Sequence, residues 1–225
     1  MKNSIKILVL LFCFPLLTFA QDEESEGPDY AMVELNYMKA KPGMEMKFVE
    51  AAKKHNAKYH PDGPYDATLF YIRTGNDAGW FVWAMGAFTF TDLDGAPGKG
   101  AHRDDWAKNV APYVAEYGPI EMWRYNEKLS VNDGKPSAMQ TLWFMDVARG
   151  ESYRFKSFME DVQAIFDEKE DEMHVWNNVY NQDDGRDVAI SWPFDKWADL
   201  DEEDWKMKEA YDEKYGEGSW DNALE

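Results

Sequence analysis

From Tyr30 onward the chain reads as short blocks in which apolar residues either alternate with polar ones or recur at helical spacing. Tyr30 to Met38 and Ala138 to Val147 are rich in β-formers and predict strands, each ending in a turn at Gly43 or Gly150. Apolar residues then recur every three or four positions, through Met46, Phe48, Val49 and Ala52 and again through Phe155, Phe158, Met159, Val162 and Phe166. This spacing predicts a helix after each strand. Ala67 to Arg73 and Met173 to Tyr180 predict second strands, and Trp80 to Phe88 and Asp187 to Trp192 third ones. The segments between them, Gly75-Asn76-Asp77-Ala78-Gly79 and Gln182-Asp183-Asp184-Gly185-Arg186, have hairpin-turn composition. Asp92-Leu93-Asp94 and Asp199-Leu200-Asp201 suit helix starts, where a carboxylate meets free backbone N–H groups. Ile120 to Glu127 predicts a fourth strand. Only Trp220 to Glu225 remain after the corresponding second helix of the other block, so an eighth strand is expected to be short or absent.

The two blocks are copies. At a constant offset of 107 residues, Ala31-Met32 falls on Ala138-Met139, Leu35 on Leu142, Met38 on Met145, Gly43 on Gly150, Phe48 on Phe155 and the first acidic triplet on the second. Beyond the triplets the register changes by eight or nine residues, which places an insertion, Gly95 to Arg103, in the first copy alone. The expected organisation is a first repeat at 30–130, a linker at 131–137 and a second repeat at 138–225. A βαββαβ order is the ferredoxin-like module, with helices on one face of an antiparallel sheet and the other face bare. The predicted fold is α+β: two tandem ferredoxin-like modules packed sheet to sheet as a pseudo-dimeric α/β barrel.

The run Val33-Glu34-Leu35-Asn36-Tyr37, followed by Lys41-Pro42-Gly43-Met44-Glu45 and Phe48-Val49-Glu50-Ala51-Ala52, resembles the dimeric α/β-barrel superfamily that includes antibiotic-biosynthesis-type monooxygenases and NIPSNAP-like proteins. In the second copy Arg149-Gly150 replaces the Pro-Gly of this pattern. The resemblance implies a fold more than an activity, because members include oxygenases, haem enzymes, isomerases and proteins of no known reaction. Asn36 and Trp83 match an Asn on the first strand and a Trp on the third in haem-degrading members. Those members add an axial His on the second helix, and Trp106 to Gly118 contains none, with His102 only nearby.

Residues 1–20 have the pattern of a cleaved secretory signal, with Lys2 and Lys6 ahead of an apolar run, Ile7 to Leu17, and Ala20 before an acidic tail at 21–29. An exported protein, periplasmic or extracellular after cleavage near Ala20, is expected, with no membrane span. Cys13, the single cysteine, lies in that segment, so the mature chain has neither disulfide nor thiolate chemistry. The formal charge of −19 excludes partners held by phosphate contacts, nucleic acid above all. A monomer with a pseudo-twofold barrel, or a higher oligomer of it, is expected.

Chemistry-bearing motifs are sparse. No Gly-rich phosphate loop, His-Glu-x-x-His or Gly-x-Ser-x-Gly occurs. His55 and His60 are five apart, the wrong spacing for one helical face, and are read with Lys53, Lys54 and Lys58 as a surface helix end; His102 is read as a loop residue, and no metal is expected. Asn181, Asp183 and Asp187 are read as a hairpin turn rather than a calcium loop. His174, Trp176, Asn178 and Tyr180 alternate along one strand face and form the candidate ligand site, with Asn36 and Trp83 as further candidates. The sequence therefore points to an exported protein that binds a small apolar or aromatic molecule in a cavity of one copy, without a predicted cofactor. The alternative is a cofactor-independent oxygenase or isomerase, or a haem-related enzyme, of the same superfamily.

Overall fold

The structure, a computed structural model, describes residues 29–135, 137–180, 185–201 and 205–224. The signal-like segment, nearly all of the acidic tail, and Asn181 and Asp183 of the hairpin lie outside the described residues. The elements are β1 (Met32–Ala40), α1 (Glu45–Tyr59), β2 (Ala67–Tyr71), β3 (Phe81–Phe88), α2 (Phe90–Leu93), α3 (Ala101–Asp105) and β4 (Val114–Tyr125). They are followed by β5 (Met139–Met145), α4 (Ser152–Glu168), β6 (His174–Asn178), β7 (Val188–Phe194), α5 (Met207–Tyr215) and α6 (Ser219–Leu224). β1 and β5 thus begin 107 residues apart, as their sequences do. Among the described residues no strand follows β7; the chain ends in helices.

Each helix forms where its apolar spacing puts one stripe on the sheet. In α1, Phe48, Ala52, His55 and Asn56 are the buried positions, a spacing of four, three and one that keeps them on one side. In α4 the buried set is Met159, Val162, Ile165 and Phe166. The acidic triplets stand at helix starts: Asp92 accepts from the Thr89 backbone and hydroxyl ahead of α2, and Asp199 accepts from the backbone of Lys196. Two cores result, one around Met32, Phe48, Trp83 and Phe88, the other around Met159, Ile165, Met173 and Val175.

All strand pairs are antiparallel, in the order β2-β3-β1-β4-β6-β7-β5. The halves do meet through their sheets, but at the edges: Trp123, Arg124 and Tyr125 of β4 pair with Asn178, Asn177 and Trp176 of β6. One continuous, curled sheet is the outcome. Its curvature is visible in a single contact. β4 and β5 stand three strands apart, about 14 Å in a flat sheet, yet the rings of Trp123 and Phe144 lie 5.6 Å apart. The concave side so formed is filled by an ion-pair network joining the halves. The Arg186 guanidinium donates to both carboxylate oxygens of Glu121 (2.5 and 2.9 Å) and to the Tyr37 hydroxyl (2.6 Å), and covers the Phe144 ring at 3.7 Å. Trp123 Nε1 donates to the same carboxylate at 2.9 Å.

Candidate metal centre

The sequence-derived candidates separate onto two faces. His174, Trp176 and Asn178 share the concave face of β6, whereas Tyr180 lies beyond that strand and is exposed. Asn178 is engaged in its own turn, donating to the Arg186 carbonyl and accepting from the Tyr180 backbone. The Asn177 amide oxygen accepts from Asn126. Beside β6 an open cleft of about 360 Å³ is lined by Asn126, Asn177, Ser152 and Lys156, and of the predicted ligand residues Asn178 alone borders it. Asn36 and Trp83 are cross-strand partners on the helix-covered face of the first half. Asn36 donates to Glu34 at 2.7 Å, and Trp83 Nε1 donates to Asn56 of α1 at 2.9 Å.

At the foot of β6, His174 Nε2 and Glu172 lie 2.8 Å apart. Burial, with Asp133 adding to it, pushes the Glu172 carboxyl up to about 7, while burial lowers His174. A carboxyl raised on folding favours the folded state at low pH. That advantage is present below the ordinary value of 4.5 and is lost as pH climbs to about 7. Glu172→Gln is accordingly expected to flatten the stability profile between pH 5 and 7, with a gain of roughly 1 kcal/mol above pH 7, since the partly solvated carboxyl delivers less than the full linkage value. Urea unfolding at pH 5 and 8 measures it; an unchanged slope contradicts the assignment.

The strongest convergence of chemistry lies elsewhere, beside Trp83. His55 and His60 are not surface residues: they are 1% and 2% exposed. The five-residue spacing separates two side chains only while both are helical. His55 sits in the last turns of α1, but His60 is the residue that ends it (φ −138°, ψ 48°), and the chain swings its ring back under the helix. The second helical segment starts at Ala101, earlier than the sequence suggested, so His102 is carried on α3 by the insertion found only in the first copy. The three rings meet: His102 Nε2 is 3.1 Å from His55 Nε2 and 2.9 Å from His60 Nε2.

The partners of the remaining nitrogens fix what these atoms can do. His55 Nδ1 faces the Asp105 carboxylate at 2.8 Å and His60 Nδ1 faces the Tyr65 carbonyl at 2.9 Å. Both oxygens only accept, so both Nδ1 atoms carry hydrogen and, in the neutral rings, both Nε2 atoms present lone pairs. His102 can donate to one of them, not to both. Burial lowers His60 to about 4, and burial followed by the neighbouring His55 lowers His102, so additional protons are not held there at neutral pH. Three converging imidazole nitrogens, two of them with tautomers fixed by their partners, are what a small cation requires. A tetrahedral ion at about 2.0–2.1 Å from each donor sets its donors about 3.3 Å apart, close to the two separations from His102, and all three donor atoms lie within 4.8 Å of one another. Asp105 is held ionised below its usual range, first by the His55 hydrogen bond, and it orients His55 as outer carboxylates orient metal-bound imidazoles. Trp83, Trp106 and Tyr59 wall the cluster, their rings 5.0–5.2 Å from His60, His55 and His102 respectively.

The donor set fits an ion and not a haem. His102 Nε2, the atom that would face a porphyrin iron, is enclosed by two other imidazole nitrogens, and both Asn36 and Trp83 are committed to protein partners. The sequence held one signal for the site: three of its four histidines fall in the first copy, and Val162 and Asp167 occupy the positions matching His55 and His60 in the second. What the sequence could not supply was the turn at His60 that closes them into one cluster.

The fold is that of the dimeric α/β barrels, the superfamily the sequence resembles. Neither a family model nor a curated protein sequence matches the chain. Among solved structures it is similar to a protein described as a candidate monooxygenase from Fusobacterium nucleatum, at 13% identity over 82% of this chain and 85% of that one, with a TM-score of 0.52. A second candidate monooxygenase, from Lactobacillus acidophilus, is 13% identical over 83% of this chain and 87% of that one, with a TM-score of 0.50. No described helix is long and apolar enough to cross a membrane.

Proposed function

We propose that the protein is an exported, metal-dependent enzyme that holds one divalent transition-metal ion through His55, His60 and His102 and acts on a small, largely apolar or aromatic molecule. The observation that carries this reading is the pair of fixed tautomers on His55 and His60, whose lone pairs point at the same atom of His102. Three imidazole nitrogen donors suit zinc, copper, nickel or ferrous iron rather than magnesium or calcium, which take oxygen ligands. Three protein ligands leave further positions for water or substrate, the pattern of catalytic rather than structural sites. The surrounding Trp and Tyr rings support an apolar or aromatic substrate, and the candidate monooxygenases of the same fold support oxidation as the reaction class.

Two measurements test it. Asp105→Asn is expected to weaken metal binding roughly 10- to 100-fold without unfolding the protein, as loss of an outer-shell carboxylate does; affinity equal to wild type would remove Asp105 from the site. Oxygen uptake by metal-stripped protein, reloaded with each candidate ion in turn and offered small aromatic compounds, should appear only with metal and disappear in His102→Ala. Stoichiometric metal without any turnover would leave the binding half of the proposal and reject the enzymatic half.

A further inference from the structure

β5 forms one edge of the sheet, hydrogen-bonded to β7 on one side and to no described strand on the other. Edge strands are ordinarily defended by charge, proline, bulges or brevity, because their free N–H and C=O groups accept another strand. β5 has none of these devices. Its seven residues, Met139-Gln140-Thr141-Leu142-Trp143-Phe144-Met145, include no charge, no proline and no glycine, in a chain that carries 67 charged residues among 225. The opposite edge, β2, is shorter, and Arg73 just beyond it lies over the Trp197 ring. On β5 the side chains also wait for cover: Trp143 is 61% and Leu142 37% exposed.

We propose that β5 pairs with β5 of a second copy of this chain, antiparallel about a twofold axis at Leu142. That register centres the pairing on the middle of the strand and sets no like charges opposite each other. It sets Leu142 against Leu142, Thr141 against Trp143, Gln140 against Phe144 and Met139 against Met145, and each pair of unlike residues occurs twice, as a twofold interface demands. Asp146, the nearest acidic residue, falls opposite Ala138 and meets no like charge. The exposed Trp143 is covered by the partner's Thr141. A second copy, rather than a foreign peptide, is the occupant because this uncharged, apolar strand pairs along its whole length with itself and sets no like charges opposite each other.

The test uses the single-cysteine background. In Cys13→Ser protein, Leu142→Cys places one thiol at the twofold axis, where directly opposite residues have Cβ atoms about 4.5–5.5 Å apart. Mild oxidation should convert it to a disulfide-linked dimer, whereas Tyr153→Cys, at an exposed position of α4, should remain monomeric. Sedimentation of the unmodified chain across a roughly hundredfold concentration range should show a monomer–dimer equilibrium, abolished by Leu142→Lys and equally by Trp143→Lys, whose site is too exposed for folding to depend on it. A monomer at every concentration overturns the proposal, as does a dimer that survives both lysines or that Tyr153→Cys crosslinks as readily as Leu142→Cys.

Discussion

His60→Ala is expected to cost the protein nearly all of its stabilisation by metal. An ion at 1,000 times its dissociation constant stabilises the native state by about 4 kcal/mol, and for a chain of this length each kcal/mol moves Tm by roughly 2–4 °C. Wild-type protein given zinc should therefore melt about 8–16 °C higher than its metal-free form. Removing one of three ligands should weaken binding at least a hundredfold, more than the loss of the outer carboxylate, and at the same ion concentration the rise falls to roughly a third or less. The comparison is made against each variant's own metal-free Tm, because His60→Ala also empties a buried site and frees the Tyr65 carbonyl. His174→Ala, on the far side of the sheet, serves as the control and should keep the full rise. Equal rises in wild type and His60→Ala would sink the site.

The second large effect concerns the joint between the halves. Arg186→Met should destabilise the protein by about 3–5 kcal/mol, because it leaves the buried Glu121 carboxylate without its cation while Tyr37 and Trp123 still crowd it. At the same sensitivity this is a Tm loss of about 6–20 °C. Adding Glu121→Leu to that variant should recover most of the loss, since an apolar pair of similar volume replaces the ions without an orphaned charge. A loss under about 1 kcal/mol in the single variant would mean that the network is solvated and does not hold the halves together.

Periodicity carried most of the fold. Both long helices, the acidic helix starts and the strands, apart from the start of β4 at Val114 in a segment expected to be helical, follow from residue spacing, because burial of a stripe or an alternating face leaves a local pattern. Two features escaped it. Joining the sheets at their edges depends on three residue pairs between β4 and β6, and nothing in Trp123-Arg124-Tyr125 or Trp176-Asn177-Asn178 marks an edge as paired rather than stacked. The metal site escaped for a different reason. Its three ligands lie on the end of one helix, its cap and an insertion 42 residues further on, and only the non-helical dihedrals at His60 bring them together. His174 and Trp176 do share a face as their alternation required. Asn36 and Trp83, paired in sequence through the family resemblance, are neighbours in space, yet Trp83 stands against the histidines while Asn36 turns to Glu34.

If three imidazoles of the first half bind one ion, X-ray absorption at the zinc edge will register them on protein carrying one equivalent of zinc. The expected spectrum has three nitrogen donors at about 2.0–2.1 Å, with the outer-shell scattering of imidazole rings and the remaining position filled by oxygen. A shell of oxygen atoms alone, or an unchanged spectrum when His55, His60 and His102 are replaced together by alanine, would contradict it.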